Sequence, residues 1–268
     1  MKLVRIKVKK SGLKKEFFVM SVTLILLVVG IVFLGSLMRA VFGFGDSIIS
    51  MPLLALLPIS LSTSISLIGL VGFTVAVLTV LSGWKNIDRP VLKILSVATL
   101  FGIPVGLLLV KFAPNAVITY GLGIFLVVYG IYSLIKPRLF QSKSRLWLNK
   151  PIWSVPFGFA AGMFGSAYNM NGVPIVVYGT LRDWKPEIFR KTLQAHFLVS
   201  SSLIIIGQFM GGFWSKELFV LYGFSLPAIG VAMLLGTFIH GRIPSYKFER
   251  YVFVVVILLG IMLLVNPN

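Results

Sequence analysis

The sequence predicts an all-α polytopic membrane protein made of two homologous halves, with about eight full transmembrane helices and two short half-helices. Of its 268 residues, 57% are apolar and only 12% are charged, about half the charged fraction of a typical soluble domain. The charges are clustered, so seven runs contain no Asp, Glu, Lys or Arg: residues 17–38, 47–84, 94–110, 112–135, 151–181, 192–215 and 251–268. A helix needs about 20 apolar residues to cross a bilayer, and runs without alternation indicate helices and not a barrel.

Positive charge is concentrated at two places in the chain. The net charge is +18, with seven cations in residues 1–15 and five more in residues 136–150. Because loops rich in Lys and Arg stay in the cytoplasm, we expect both segments there, in a multi-pass protein of the cell (inner or plasma) membrane. Membrane topology therefore explains the positive charge, and no nucleic-acid partner is expected. No small-residue cleavage site follows residues 17–38, so this run is interpreted as the first transmembrane helix and not as a signal peptide.

The chain contains an internal repeat. Four positions recur at an offset of 130 residues: Trp84 and Trp214, Gly106 and Gly236, Pro114 and Pro244, Gly130 and Gly260. Upstream, GFGDSIISMP (43–52) matches GSAYNMNGVP (165–174) at an offset of 122. Internal repeats are common in secondary transporters, so the matches indicate a duplicated architecture.

The repeat divides the chain into four parts. These are a basic N-terminus (1–16), a first transmembrane repeat (17–135), a basic linker (136–151) and a second repeat (152–265). Each repeat contains five apolar segments, and the second of the five is short. The predicted segments are 17–41, 47–57, 61–81, 91–110 and 116–135, then 152–164, 172–181, 192–213, 218–239 and 248–265.

The short segments leave two topologies open. At about 11 residues, each is roughly 16 Å of helix, or half a bilayer. If the short segments are re-entrant, each half crosses four times, the halves are parallel, and the N-terminus and linker share the cytoplasmic side. If they count as full crossings, the halves are inverted and the linker lies on the other side. The charges of the two basic segments favour the parallel arrangement, while the cations in residues 240–250 count against it.

A helix broken inside a membrane exposes backbone N–H groups and a positive dipole end, which together suit a small anion. Asp46–Ser47 and Asn171–Gly172 are expected to provide the N-caps of the two short helices. The alternative is that both breaks are ordinary turns between helices. The abundance of polar groups favours a substrate site that includes Gly43, Gly45, Asp46, Ser47, Gly165, Tyr168, Asn169, Asn171 and Gly172.

Polar side chains inside apolar spans add further candidates, because each is costly in lipid unless it is paired or functional. In the repeat alignment Ser64 falls opposite Gln194, and His196, whose imidazole could carry a proton, lies near them. Arg39 could neutralise Asp46, clamp an anion with its planar fork, or extend to the membrane interface as an anchor. All four side chains (Arg39, Ser64, Gln194 and His196) join the predicted site.

These residues resemble those of the TauE/SafE family, the sulfite exporter-type membrane permeases, along nearly the whole chain after residue 21. The similarity lies in two glycine-rich breaks that each lead to a proline and an apolar run, GFGDSIISMPLLALL and GFAAGMFGSAYNMNGVPIVVYGTL, together with GW at 83–84 and RKT at 190–192. Here SAYNMNG stands where the family usually has several glycines. The resemblance implies transport, without ATP, of sulfite, sulfoacetate or a related sulfur-containing or organic anion.

The sequence therefore predicts a permease that exports a small anion, with a coupled proton as a further possible partner. No phosphate loop, zinc helix, nucleophile elbow or dinucleotide motif occurs, and the chain has no cysteine. We therefore expect no enzymatic activity, no catalytic residue, no metal site and no cofactor. Two alternatives stay open: a membrane assembly factor or sensor that does not transport, and an anion channel.

Overall fold

The structure is a computed structural model that describes residues 3–7, 17–80, 87–139, 150–240 and 245–265. Within these ranges the chain forms a short hairpin and ten α-helices, two of which contain only ten residues. The elements are β1 (Leu3–Lys7), β2 (Phe17–Ser21), α1 (Val22–Phe42), α2 (Asp46–Ala55), α3 (Leu61–Val80), α4 (Arg89–Phe112), α5 (Asn115–Leu139), α6 (Ser154–Tyr168), α7 (Gly172–Leu181), α8 (Pro186–Met210), α9 (Lys216–Ile239) and α10 (Ser245–Val265).

The prediction that the first helix begins at residue 17 is wrong. Residues Phe17–Ser21 form a strand that pairs antiparallel with Leu3–Lys7. Phenylalanine and valine favour strands, and the Ser21 hydroxyl accepts a hydrogen bond from the Leu24 amide at 3.1 Å. This N-cap starts the helix at Val22. Most of the predicted basic N-terminus lies outside the described residues.

The predicted class, an all-α polytopic membrane protein, is confirmed. Among the described helices, six are long and apolar enough to span a membrane: α1, α3, α4, α5, α8 and α9. Their outer surfaces carry large apolar side chains, such as Phe101 and Phe112, which are 67% and 75% exposed. An apolar surface of this extent matches contact with lipid. The total of eight full crossings and the common origin of the two halves stay predictions.

Two helices are broken at the positions where the sequence predicts breaks. α1 ends at Gly43 and α2 begins after Gly45, both with left-handed backbone (φ 84° and 98°). α6 ends at Asn169, which also has a positive φ of 56°. The short helices that follow, α2 and α7, have ten residues each, or about 15 Å, which is half of the bilayer core.

The α2 helix returns the chain toward the face from which α1 started. Asp46 contacts Arg39, while Ser50, one turn further along α2, donates to the Ile31 carbonyl near the middle of α1. α2 and α1 are therefore antiparallel. α3 then starts next to α9, since Thr63 Oγ1 and Ser215 Oγ lie 3.4 Å apart.

The remaining contacts fix the directions of the other helices. α4 runs parallel to α6, because Gly158 packs on Leu95 and Gly162 packs one turn later on Thr99. α1 runs parallel to α9, since Gly236 contacts Ala40 near the ends of both helices.

The packing of α5 and α10 is antiparallel. Gly123 contacts Leu264 near the end of α10, whereas Gly130 contacts Ile257. Since α5 and α10 hold matching positions in the predicted repeat, antiparallel packing is what an inverted repeat produces.

These directions place the helix ends on two faces. We call the side with the starts of α1, α3, α5 and α9 the N-terminal face, and the side with the starts of α4, α6, α8 and α10 the linker face. The favoured parallel arrangement, with the N-terminus and the 136–150 linker on one side, is therefore wrong. Each short helix returns the chain towards the face from which the preceding helix started. Each of the five helices in residues 22–139 therefore runs antiparallel to the helix at the matching position in residues 154–265.

Candidate functional site

The two helix breaks meet in the interior of the bundle. The Gln194 side chain on α8 donates from Nε2 to the Gly43 carbonyl at 2.6 Å, which joins the second half of the chain to the first break. A small cavity of about 10 Å³ lies between the breaks. Its lining consists of Phe44, Gly45, Asp46, Ser47, Ile48, Asn169, Met170, Asn171, Gly172, Val173 and Phe197. Six of the predicted break residues thus meet around this cavity: Gly45, Asp46, Ser47, Asn169, Asn171 and Gly172.

The first break presents backbone donors without a side-chain cap. Gly45 occupies the N-cap position of α2 in a left-handed conformation, and no side chain hydrogen-bonds to the helix start there. The prediction that Asp46 and Ser47 cap this helix is wrong, because Asp46 turns towards Arg39 instead. The first amides of α2 are therefore not bound by a capping side chain, and the N-terminal end of the helix carries a positive partial charge.

The second break is held by two asparagine amides. Asn171 stands at the N-cap position of α7 but does not cap it; its Nδ2 donates to Ser200 Oγ on α8 at 2.5 Å. Asn169 Nδ2 donates to the Ile65 carbonyl on α3. The predicted capping role of Asn171 is therefore wrong, since its amide fixes the position of the break relative to a neighbouring helix.

Arg39 lies beside the cavity, in contact with the lining residues Asp46 and Phe197. Its Nη1 donates to Asp46 Oδ2 at 2.9 Å and to the Gly72 carbonyl at 3.1 Å. The guanidinium lies over the ring of Phe197, 4.4 Å from its centroid, a cation–π arrangement. With only 4% of Arg39 exposed, the interface-anchor alternative is wrong.

One edge of this guanidinium has no partner. Nε and Nη2 of Arg39 are buried and make no hydrogen bond within the described residues. Leaving a buried donor unpaired costs about 1–3 kcal/mol, and more when it is charged. These two atoms form the fork that binds carboxylate-like and oxyanion groups through two parallel hydrogen bonds. This unpaired edge is therefore suited chemically to an oxyanion.

Glycine at 165 and 172 allows the second break to approach its neighbours. A Cβ on Gly172 would lie 2.6 Å from the Phe197 ring, and one on Gly165 would lie 2.6 Å from Ile204 and 2.9 Å from the Asn171 Cβ. No real side chain tolerates such distances, so these two predicted site residues act through close packing.

His196 connects three helices. Its Nε2 lies 3.0 Å from Thr99 Oγ1 on α4, and that hydroxyl donates to the Gly158 carbonyl on α6 at 3.0 Å. Since the hydroxyl proton is used there, the Thr99 oxygen is left to accept a hydrogen bond from Nε2. Nδ1 is buried without a hydrogen-bond partner. His196, like Arg39, is not among the residues that line the cavity.

Two predicted residues turn away from the cavity. Ser64 donates to the Ser60 carbonyl of its own helix segment at 3.3 Å, the bonding that serine often makes within a helix. The Tyr168 hydroxyl donates to the Ile118 carbonyl on α5 at 3.1 Å. Their polar groups are satisfied by protein, so neither faces the meeting point of the breaks.

Three important neighbours are absent from the sequence prediction: Phe197, Gly72 and Gln208. Phe197 and Gly72 surround the guanidinium, and both belong to apolar runs in which they look like ordinary core residues. A buried glutamine such as Gln208 does give a signal, because an amide is costly in a lipid-spanning helix. Within the part of the chain that the structure describes, no group of three or more His, Cys, Asp or Glu could hold a metal ion.

Long apolar helices around a polar centre built from two helix breaks define a polytopic membrane protein with the architecture of secondary transporters. The family model "Sulfite exporter TauE/SafE" matches residues 27–263. The chain therefore belongs to the TauE/SafE family of membrane transporters. No curated protein and no solved structure matches it.

Proposed function

We propose that this protein is a secondary transporter that exports sulfite, sulfoacetate or a related small sulfur-containing or organic anion. The anion binds between the two helix breaks, with its oxygens on Arg39 Nε and Nη2 and on the free amides at the start of α2. Family membership supports the transport of a sulfur-containing anion, and the geometry of Arg39 supports this location.

The observation that carries the proposal is the unpaired edge of Arg39. A buried guanidinium with Nε and Nη2 unused stands where two broken helices converge, and Asp46 neutralises it from the opposite edge. An anion on the free edge would satisfy both donors at once. A purely structural ion pair would gain nothing from leaving that edge unpaired.

The size of the cavity supports a carrier. About 10 Å³ is roughly the space of one water molecule, so an oxyanion enters only if the two breaks move apart. Opening towards one face and then the other is the alternating access that broken-helix transporters use.

Anion flux into proteoliposomes tests the proposal. Labelled sulfite, thiosulfate, sulfoacetate and taurine are compared for wild type, Arg39→Lys, and the double variant Arg39→Gln with Asp46→Asn. The double variant removes both charges, so no unpaired ion is left in the core, and its flux should be lost. Arg39→Lys keeps the charge without the fork, and its anion affinity should fall by about tenfold or more.

The same assay separates the alternatives. Wild-type flux in the double variant would contradict the Arg39 site, and no flux of any tested anion would contradict the transport function. A channel would show currents far above carrier turnover. An assembly factor or sensor would copurify with a stable partner.

We further propose that the linker face is cytoplasmic. The N-terminus and the linker lie on opposite faces, so only one of the two basic segments can be in the cytoplasm. Segments that join helix ends on the linker face (81–93, 136–150, 182–191 and 240–250) contain fifteen Lys and Arg, against nine in those of the N-terminal face (1–21, 55–62, 111–116 and 210–217). The positive-inside rule then puts the N-terminus outside, opposite to the expectation from the first helix alone.

A further inference from the structure

A second buried polar cluster lies beside the anion site. Gln208 on α8 is completely buried, and neither Nε2 nor Oε1 of its amide has a hydrogen-bond partner within the described residues. An unpaired amide in the interior of a membrane protein is costly. The amide therefore points to a ligand that it binds in another state of the site.

The Asn169 amide oxygen faces the same place. Asn169 Nδ2 donates to the Ile65 carbonyl on α3, and Oδ1 of the same amide lies next to Gly69 of that helix. The position of a Cβ on Gly69 would be 2.7 Å from Gln208 Oε1 and 3.2 Å from Asn169 Oδ1. Two carbonyl-type oxygens from different helices thus converge where Gly69 has no side chain.

From this convergence we infer a binding site for a monovalent cation of the Na⁺ class, with Asn169 Oδ1 and Gln208 Oε1 as ligands. Ser66, one turn earlier on α3, offers a further buried hydroxyl without a hydrogen-bond partner. Asn169 also ends the broken helix α6, and the carbonyl end of a half-helix is negative.

The chemistry of the ligands selects the charge of the ion. Neutral amide and hydroxyl oxygens suit a hard cation, whereas Ca²⁺ and Mg²⁺ sites rely on carboxylates. The one buried carboxylate nearby, Asp46, is already paired with Arg39. In broken-helix transporters, half-helix C-termini and unwound carbonyls characteristically coordinate the coupling Na⁺.

The position of the cluster gives the cation a role in transport. Gly69 faces the cation ligands and Gly72, one turn further along α3, faces Arg39 and Asp46. The cation ligands therefore lie close to the Arg39–Asp46 pair, and a cation and an anion bound at these neighbouring sites attract each other, so binding of either strengthens binding of the other. This coupling rests on the proposed anion site at Arg39, whereas cation binding itself does not.

Thermal melting of the purified full-length protein tests cation binding without any anion substrate. The Tm is measured while NaCl replaces choline chloride or KCl at constant ionic strength. Wild type should show a saturable rise in Tm with Na⁺. Gln208→Leu should melt cooperatively in choline chloride and require about tenfold more Na⁺ for the same shift. Ser202→Ala, whose hydroxyl bonds only to its own helix, is the matched control and should respond as wild type.

Proteoliposome flux at fixed pH then tests the coupling. An inward or outward Na⁺ gradient should change wild-type anion flux by about tenfold and should leave the Gln208→Leu flux unchanged. Equal Tm in Na⁺, K⁺ and choline, or an unaltered Na⁺ response in Gln208→Leu, overturns the cation site. Sodium-dependent Tm without anion flux would contradict only the proposed transport function, and anion flux indifferent to Na⁺ would contradict only the coupling.

Discussion

At the scale of single residues, Arg39 and Asp46 form a buried charge pair in which one edge of the guanidinium is unused. Asp46 and the Gly72 carbonyl occupy Nη1, while Nε and Nη2 stay unpaired. The Asp46 carboxylate compensates the guanidinium charge and therefore competes with a bound anion for the same positive charge.

This gives a prediction for Asp46 and His196. Asp46→Asn leaves the guanidinium charge uncompensated, so its anion affinity should rise above that of wild type. His196→Gln should leave the affinity unchanged, because His196 Nε2 serves the Thr99 hydroxyl on α4 at 3.0 Å. Equilibrium dialysis at one fixed pH measures both affinities, and wild-type affinity in Asp46→Asn would contradict the prediction.

A second residue-scale prediction concerns Asn171. Asn171→Leu removes the donor to Ser200 Oγ, which positions the break above Phe197 and hence beside Arg39. The loss of a buried hydrogen bond costs about 1–3 kcal/mol, so anion affinity should fall by about tenfold while the fold is kept. Binding by equilibrium dialysis and Tm give the two readouts. Ser200→Ala removes the same bond from the other side, and wild-type affinity in both variants would mean that the break is only a turn.

At the scale of elements, close helix crossings hold the two breaks in register. α4 packs on α6 through glycines against backbone, and α1 packs on α9 through Gly236 against Ala40. In the predicted repeat, α1 corresponds to α6 and α4 to α9, so the two crossings are related by exchange of the halves. Small residues at such crossings let helices approach without a hydrophobic driving force between them.

Gly162 and Gly223 provide a matched test of these crossings. A Cβ on Gly162 would overlap the Thr99 carbonyl, whereas a Cβ on Gly223 of α9 would meet nothing within 4 Å. Gly162→Ala should therefore destabilise the protein by about 1–3 kcal/mol. Gly223→Ala should be neutral or stabilise it by up to about 1 kcal/mol through helix propensity. Unfolding in mild detergent measures both, and equal stability would contradict the packing.

At the scale of the whole molecule, the absence of cysteine permits a direct test of topology. Ser60 lies on the N-terminal face and Lys185 on the linker face, and both are exposed. A membrane-impermeant maleimide should label Ser60→Cys on intact cells and Lys185→Cys only after permeabilisation. The reverse pattern would place the N-terminus in the cytoplasm. Labelling of both from the same side would contradict the opposite-face arrangement itself.

The sequence by itself determined the class, the family and the location of the breaks. These predictions rest on local features: runs without charge, glycine-rich interruptions and the family pattern. In a bilayer such features determine the helices, because each backbone polar group needs a partner inside its own helix. The start of α7 at Gly172 agrees with the sequence prediction for the same reason. The cost of burying a charge likewise pointed to Arg39 and Asp46 before any contact was known.

Only the tertiary structure decided the directions of the helices and the residues that surround Arg39 and the two breaks. Counts of Lys and Arg favoured parallel halves. The direction of each helix instead depends on its packing partner, as where Gly130 of α5 contacts Ile257 of α10. Asn171 looked like a cap and instead bonds to Ser200, because a side chain chooses among all neighbours that folding supplies. Phe197, Gly72 and Gln208 became site residues through contacts with distant parts of the chain, and no local pattern encodes such contacts.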